Sequence, residues 1–99
     1  MLSMCPRKSA YWMEQIDERI LEHLSENGWS KPRIMARERG FESSRGRIRE
    51  RCKRLQYVAF VAPMHGEMYE ITTWGLLYLD GEIDARHQPT PTVDRVLKK

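Results

Sequence analysis

The chain has 99 residues, 40% of them hydrophobic and 31% charged, with a formal net charge of +3. This length predicts a single domain with one small core. There is no apolar run near the roughly 18 residues that a transmembrane helix needs, and residues 1–10 lack the hydrophobic segment of a secretory signal. Cys5 and Cys52 are predicted to stay reduced and unpaired, which favours a cytoplasmic protein.

Positive charge is concentrated in one part of the sequence. Residues 30–57 contain ten Lys or Arg and three acidic residues, a net charge of +7, whereas the rest of the chain has seven basic and eleven acidic residues, a net charge of −4. Basic charge this dense on short helices is typical of a surface that binds duplex DNA. The alternative is a solvated helix face held by i,i+4 pairs such as Glu50–Arg54. Dense like charges repel one another unless an anion binds, which favours the DNA interpretation.

Two helices are predicted in the first part of the chain, after a flexible leader over residues 1–10. The first spans residues 12–27, and the second spans residues 31–39 with Ser30 as its N-cap. The apolar residues that recur at helical spacing in the first helix are Ile16, Ile20, Leu21 and Leu24.

A third, strongly basic helix is predicted over residues 44–56, capped by Ser43 or Ser44. Most of its positions are charged, so only one narrow stripe can face a core. The residues of that stripe, spaced i, i+4 and i+7, are Ile48, Cys52 and Leu55.

A β-hairpin and a fourth helix are predicted next. The strands cover residues 57–63 and 68–71, with a turn at residues 65–66, and the helix covers residues 74–80. Residues 86–99 include two prolines and are predicted to form a disordered tail.

This order of elements predicts a mainly α fold with a small β-hairpin, namely a winged helix-turn-helix domain over residues 11–85, with a three-helix core, a wing and a C-terminal helix. Several segments within residues 12–85 follow the pattern of a known family: 17–22, 34–40, 47–55, 69–72, 73–75 and 78–81. On these segments the chain resembles small archaeal winged-helix transcriptional regulators, including repressors of archaeal viruses.

The resemblance implies that the third helix enters the major groove and that the hairpin, as the wing, lies against the DNA backbone or minor groove. Two features depart from the family pattern. The family usually has a Gly-Leu-Ile type of entry into the first wing strand, where this chain has Ala59-Phe60-Val61. The wing tip, residues 65–67, is short and poorly charged, so the third helix would supply most of the affinity.

The predicted DNA contacts divide into base readers and backbone contacts. Arg47 can donate two hydrogen bonds to guanine, and Glu50 can accept one from cytosine N4. Gly46 would allow close approach of the helix, and Lys31 and Arg33 lie at the start of the second helix, where main-chain N–H groups favour phosphate. The complete predicted set is Lys31, Arg33, Ser43, Ser44, Arg45, Gly46, Arg47, Arg49, Glu50, Lys53, Arg54 and His65.

The sequence therefore predicts a sequence-specific double-stranded DNA-binding protein that regulates transcription as a repressor. One alternative is a winged-helix module that binds a protein partner and not DNA, and a second is RNA binding, although exposed aromatic residues for base stacking are few. No catalytic motif, metal-ligand spacing, cofactor loop or small-molecule site is recognisable, and neither enzymatic activity nor membrane association is predicted.

We predict a homodimer, because pairing two half-site readers about a two-fold axis increases specificity. The candidate dimer surfaces are residues 11–13 and the leucines of the fourth helix, Leu76, Leu77 and Leu79. Light scattering at high protein concentration is expected to give twice the mass of one chain. A monomeric mass would contradict this prediction.

Overall fold

A computed structural model describes residues 7–88 of the chain. Its elements, in order, are α1 (Gln15–Asn27), β1 (Trp29–Ser30), α2 (Pro32–Met35), α3 (Arg45–Tyr57), β2 (Val61–Met64), β3 (Met68–Ile71), α4 (Thr73–Leu79) and a 3-10 helix (Ala85–His87). The three strands form an antiparallel sheet in the order β1-β3-β2. The predicted winged helix-turn-helix architecture is confirmed. Among residues 7–88, no helix has the length and apolarity needed to cross a membrane.

The core lies between α1, α3, α4 and the sheet. The apolar stripes predicted for α1 and α3 face it, and Phe60 and Tyr78 stack on each other at 5.2 Å between ring centroids. The buried apolar residues are Ala10, Ile20, Leu21, Leu24, Met35, Phe41, Ile48, Cys52, Leu55, Val58, Phe60, Val61, Tyr69, Tyr78, Leu79 and Ala85.

A buried ion pair joins α1 to α3 inside this core. Asp17 is fully buried and Arg51 is 2% exposed. Two parallel bonds connect them, from Arg51 Nη2 to Asp17 Oδ2 at 2.6 Å and from Nε to Oδ1 at 2.8 Å. Burial alone would lower the pKa of Arg51, but the hydrogen bonds and negative charge of Asp17 raise it, so the guanidinium stays charged.

The ordered part of the chain begins earlier than predicted, and α1 begins later. Glu14 is the N-cap of α1 with an extended backbone, and its N–H donates to Asp17 Oδ2 at 2.9 Å, so the helix begins at residue 15 and not at residue 12. Residues 7–10, predicted as flexible, pack on the domain: Ala10 is buried, and the Ala85 N–H donates to the Lys8 carbonyl at 2.8 Å.

Arg7 explains why this segment is held in place. Its Nη1 contacts Glu18 at 3.0 Å and Glu22 at 2.7 Å, and its Nε donates to the Leu79 carbonyl at 3.1 Å. These ionic contacts cannot be inferred from the local pattern of residues 1–10. The remainder of the predicted leader (residues 1–6) and most of the predicted tail (residues 89–99) lie outside the described residues.

Helix α2 is shorter than the predicted helix over residues 31–39. Its N-cap is Lys31 and not Ser30, because Ser30 belongs to β1 and its Oγ is 3.1 Å from His23 Nε2. After Met35 the backbone bonds change to i,i+3 spacing, from the Arg37 N–H to the Ile34 carbonyl and from the Glu38 N–H to the Met35 carbonyl. Tight turns of this kind end an α-helix.

The predicted strand over residues 57–63 is wrong in its first half. Helix α3 continues to Tyr57, and the chain then reverses through Ala59, whose φ is +69°, so that β2 starts only at Val61. Ala59 stands at the start of the wing entry, where the family usually has glycine. The Thr72 hydroxyl donates to the Ala59 carbonyl at 2.6 Å and stabilises this unfavourable backbone conformation.

Helix α4 packs tightly against this reversal. It begins at Thr73, one residue earlier than predicted, with Thr72 as its cap through the Gly75 N–H at 3.1 Å. A Cβ on Gly75 would lie 2.4 Å from the Phe60 carbonyl oxygen. Only glycine therefore allows this approach of α4 to the segment that enters the wing.

The buried ion pair gives a testable prediction. Asp17→Ala should lower the free energy of unfolding by about 3–5 kcal/mol, because Arg51 would stay buried without its carboxylate. Urea denaturation followed by circular dichroism measures this change. Glu26→Ala, at an exposed acid of the same helix, is the control and should change stability by less than about 0.5 kcal/mol. Equal effects of the two substitutions would contradict the role of the pair.

Candidate nucleic-acid interface

Two contacts position the start of α3. Ser44 is its N-cap and accepts a hydrogen bond from the Arg47 N–H at 3.1 Å, which decides between the two predicted caps. The turn before it is held by Arg19 of α1, whose guanidinium lies 5.8 Å from the centre of the Phe41 ring. Gly40 has a φ of +90°, a left-handed conformation that favours glycine, so the turn needs glycine at this position.

The side of α3 opposite the buried stripe is open to solvent. We call Gly46, Arg49, Glu50 and Lys53 the outer face of α3. They lie about 100° or more from Ile48 around the helix axis, as do Arg47 and Arg54, which are described separately below. A Cβ on Gly46 would meet no atom within 4 Å, so nothing in the protein accounts for a missing side chain there.

The two predicted base readers lie together in a network of charges. Arg47 is ion-paired with Glu14 at the start of α1, and its Nη1 is 3.1 Å from Glu50 Oε1. Glu50 Oε2 also contacts Arg54 Nη2 at 3.1 Å, which confirms the predicted i,i+4 pair. We call Glu14, Arg47, Glu50 and Arg54 the charge network. The hydrogen bond that Arg47 donates to the Glu14 carboxylate raises the pKa of Arg47, and the bond that Arg54 donates to Glu50 lowers the pKa of Glu50.

The structure therefore reduces the positive charge that is available to a ligand. Three of the ten basic residues in residues 30–57, Arg47, Arg51 and Arg54, form ion pairs within the protein. The others have no acidic partner within ion-pair distance among residues 7–88, and they are Lys31, Arg33, Arg37, Arg39, Arg45, Arg49 and Lys53.

Arg37 and Arg39 were missing from the predicted contact set. Both are exposed on the turn between α2 and α3. The prediction placed them inside a longer second helix, of which only the start was considered for phosphate contacts. Their positive charge and their place just before the strongly basic α3 are the signals that add them to the candidate contacts.

The predicted phosphate contact at the start of α2 stays a prediction. Helix α2 has four residues and begins with Pro32, which has no N–H to donate. Lys31 is half-buried and Arg33 is exposed.

The wing carries no positive charge of its own. His65 is exposed at its tip, Gly66 and Glu67 form the turn with positive φ, and no Lys or Arg occurs in residues 58–71. Arg49 is the cation of α3 that acts on the wing: burial raises the pKa of Tyr69 in β3, and the positive charge of Arg49 opposes this shift.

Ser43 is a predicted contact that lies before the start of α3. Ser43 is half-buried and lines a cleft of about 320 Å³ with residues of α1 and the Gly40 turn.

Cys52 is fully buried, and burial raises the pKa of its thiol to about 12, so it is not a reactive thiolate. Among residues 7–88, no group of three or more His, Cys, Asp or Glu could hold a metal ion.

Comparison with known proteins identifies a solved relative. The crystal structure of the PhiH1 repressor-like protein from Haloarcula marismortui has a TM-score of 0.83 and 31% sequence identity with this chain. The match covers 87% of this chain and 98% of that one. No protein-family model matches the sequence, and no curated protein matches it. Given this identity over nearly the whole of the solved relative, the chain belongs to the family of small archaeal winged helix-turn-helix proteins that resemble the PhiH1 repressor.

Proposed function

We propose that the protein binds double-stranded DNA through the outer face of α3 and acts as a transcriptional repressor. The observation that carries this proposal is a group of seven basic residues between Lys31 and Lys53 that have no acidic partner within ion-pair distance in the part of the chain that the structure describes. A solvated surface has no need of so much unneutralised like charge, because it only adds repulsion. The name of the solved relative, a repressor-like protein, supports the same function.

In the proposed complex, the N-terminal half of α3 enters the major groove. Gly46 lets the helix approach the base edges, while Arg49 and Lys53 face the groove wall. Phosphate contacts come from the cations of the preceding segment, Lys31, Arg33, Arg37, Arg39 and Arg45. The wing, which lacks Lys and Arg, contributes little to affinity. The bound protein represses transcription because it occludes promoter DNA. This takes place in the cytoplasm.

We further propose that two copies bind DNA together. Tyr11 is 88% exposed, and Leu76 and Trp74 of α4 are also exposed, so both predicted dimer surfaces offer apolar groups to a second copy. Leu79, which the sequence placed on that surface, is buried within its own chain, and Trp74 takes its place.

The first test is a salt titration. Fluorescence anisotropy of a labelled random 25–30 bp duplex should show log K falling with log salt, with a slope of about −4 to −6 for some four to seven neutralised phosphates. Lys53→Gln should make that slope shallower by about 1, whereas Lys8→Gln, at an exposed cation outside the α2–α3 segment, should leave it unchanged.

The same titration separates the alternatives. No binding at about 50 mM salt would contradict the proposal and favour the protein-interaction module. Stronger competition by single-stranded RNA than by unlabelled duplex would favour an RNA-binding function.

A second test uses Gly46. Gly46→Leu should keep or raise the melting temperature, because its position is open and leucine is the better helix former. The same variant should bind duplex DNA about tenfold more weakly, a change of about 1.4 kcal/mol, since the side chain would hold the helix away from the groove. Unchanged DNA affinity in a folded Gly46→Leu protein would exclude this face of α3 from the interface.

A further inference from the structure

Glu14 has no part in the predicted DNA contacts, yet it faces two arginines of the recognition helix. It lies 33 positions before Arg47 in the sequence and is ion-paired with it. Its Oε2 also accepts a hydrogen bond from Arg51 Nη1 at 3.3 Å. Capping of α1 does not explain these contacts, because the capping box at this position is formed by Glu14 and Asp17 and includes neither Arg47 nor Arg51.

We propose that Glu14 is a specificity-determining residue of the DNA-binding face. It holds the Arg47 guanidinium in an intramolecular ion pair, so that a phosphate must displace a carboxylate to contact Arg47. A phosphate can also form a bidentate pair with arginine, but it only exchanges one charge-assisted pair for another. A guanine edge offers two acceptors in the plane of the guanidinium, and only at positions where that base lies opposite Arg47. This inference rests on the proposed DNA binding and names the residue that makes that binding selective.

The carboxylate of Glu14 is oriented by Arg51. Arg51, which contacts it, is itself fixed by the buried bidentate pair with Asp17. The carboxylate therefore loses little conformational freedom when it binds Arg47, which distinguishes this pair from an ordinary surface ion pair. Glu50 Oε1 accepts a hydrogen bond from Arg47 Nη1 at 3.1 Å, so the guanidinium is held by Glu14 on one side and by Glu50 on the other.

The charge network can also open without leaving an unpaired acid. When Arg47 turns to DNA, Glu14 keeps its bond to Arg51, and Glu50 keeps its bond to Arg54. Release of Arg47 then exchanges its two carboxylate acceptors, on Glu14 and Glu50, for acceptors on DNA. A phosphate contact carries no sequence information, whereas a bidentate base contact forms only where a guanine lies opposite Arg47.

The experiment compares two charge-matched variants, Glu14→Gln and Glu26→Gln. Glu26 is an exposed acid near the other end of α1, about 18 Å along the helix from Glu14, beyond a Debye length of about 8 Å at physiological salt. On a random duplex, Glu14→Gln should bind about 2- to 5-fold more tightly than Glu26→Gln, with a salt slope steeper by about 0.9. Selection from a random-sequence duplex pool should give a weaker consensus with Glu14→Gln than with the wild type.

A double-mutant cycle tests whether the effect passes through Arg47. In an Arg47→Gln background, Glu14→Gln should no longer increase affinity, because no guanidinium remains to be released. An equal increase in both backgrounds would show that Glu14 acts only as a local negative charge, and would overturn the proposal. Thermal melts followed by circular dichroism check that each variant is folded. If Glu14→Gln does not fold, Glu14→Asp replaces it, because aspartate is a good N-cap whose shorter side chain withdraws the carboxylate from Arg47.

The outcomes also separate this inference from the proposed function. A wild-type protein that fails to bind any duplex removes the proposed function, and the inference with it. A wild-type protein that binds duplex DNA, with Glu14→Gln and Glu26→Gln equal in affinity and salt slope, overturns the role of Glu14 and leaves DNA binding intact.

Discussion

The buried pair between Asp17 and Arg51 is the interaction on which the arrangement of charges on α3 depends. It joins the first turn of α1 to the middle of α3, 34 positions apart in the sequence, and it does so from inside the core. A bidentate guanidinium–carboxylate pair is directional, because both pairs of atoms must align. Together with the buried stripe of Ile48, Cys52 and Leu55, it fixes the rotation of α3 about its own axis, and with it the residues that face solvent.

That rotation has consequences for the charges around it. With Arg51 inside, Gly46, Arg49 and Lys53 face outward, while Arg47 is directed towards Glu14. The N-terminus of α1 thus sets which arginines of α3 can meet a ligand. The same residue, Asp17, also binds the Glu14 N–H at 2.9 Å, so the start of α1, the carboxylate of Glu14 and the orientation of α3 are linked through one side chain.

The wing is positioned by packing and not by charge. Its entry needs a positive φ at Ala59, a bond from the Thr72 hydroxyl to the Ala59 carbonyl, and a glycine at position 75 where α4 approaches Phe60. These contacts hold the hairpin beside α3. The positive charge of Arg49 in α3 opposes the rise in the pKa of Tyr69 in β3.

The presence and order of the helices, the hairpin and the concentration of basic charge could be predicted from the amino-acid sequence, because each depends on local periodicity, capping or composition. The family was predicted from a resemblance spread over residues 12–85. The sequence predicted the stripe of Ile48, Cys52 and Leu55 and the second wing strand correctly. It could not determine the two-residue β1, the end of α2 at Met35 or the packing of residues 7–10, because these depend on partners distant in the chain. Only the tertiary structure decided which arginines stay available: Arg47 and Arg51 pair with acids 33 and 34 positions away, and no local pattern records such contacts.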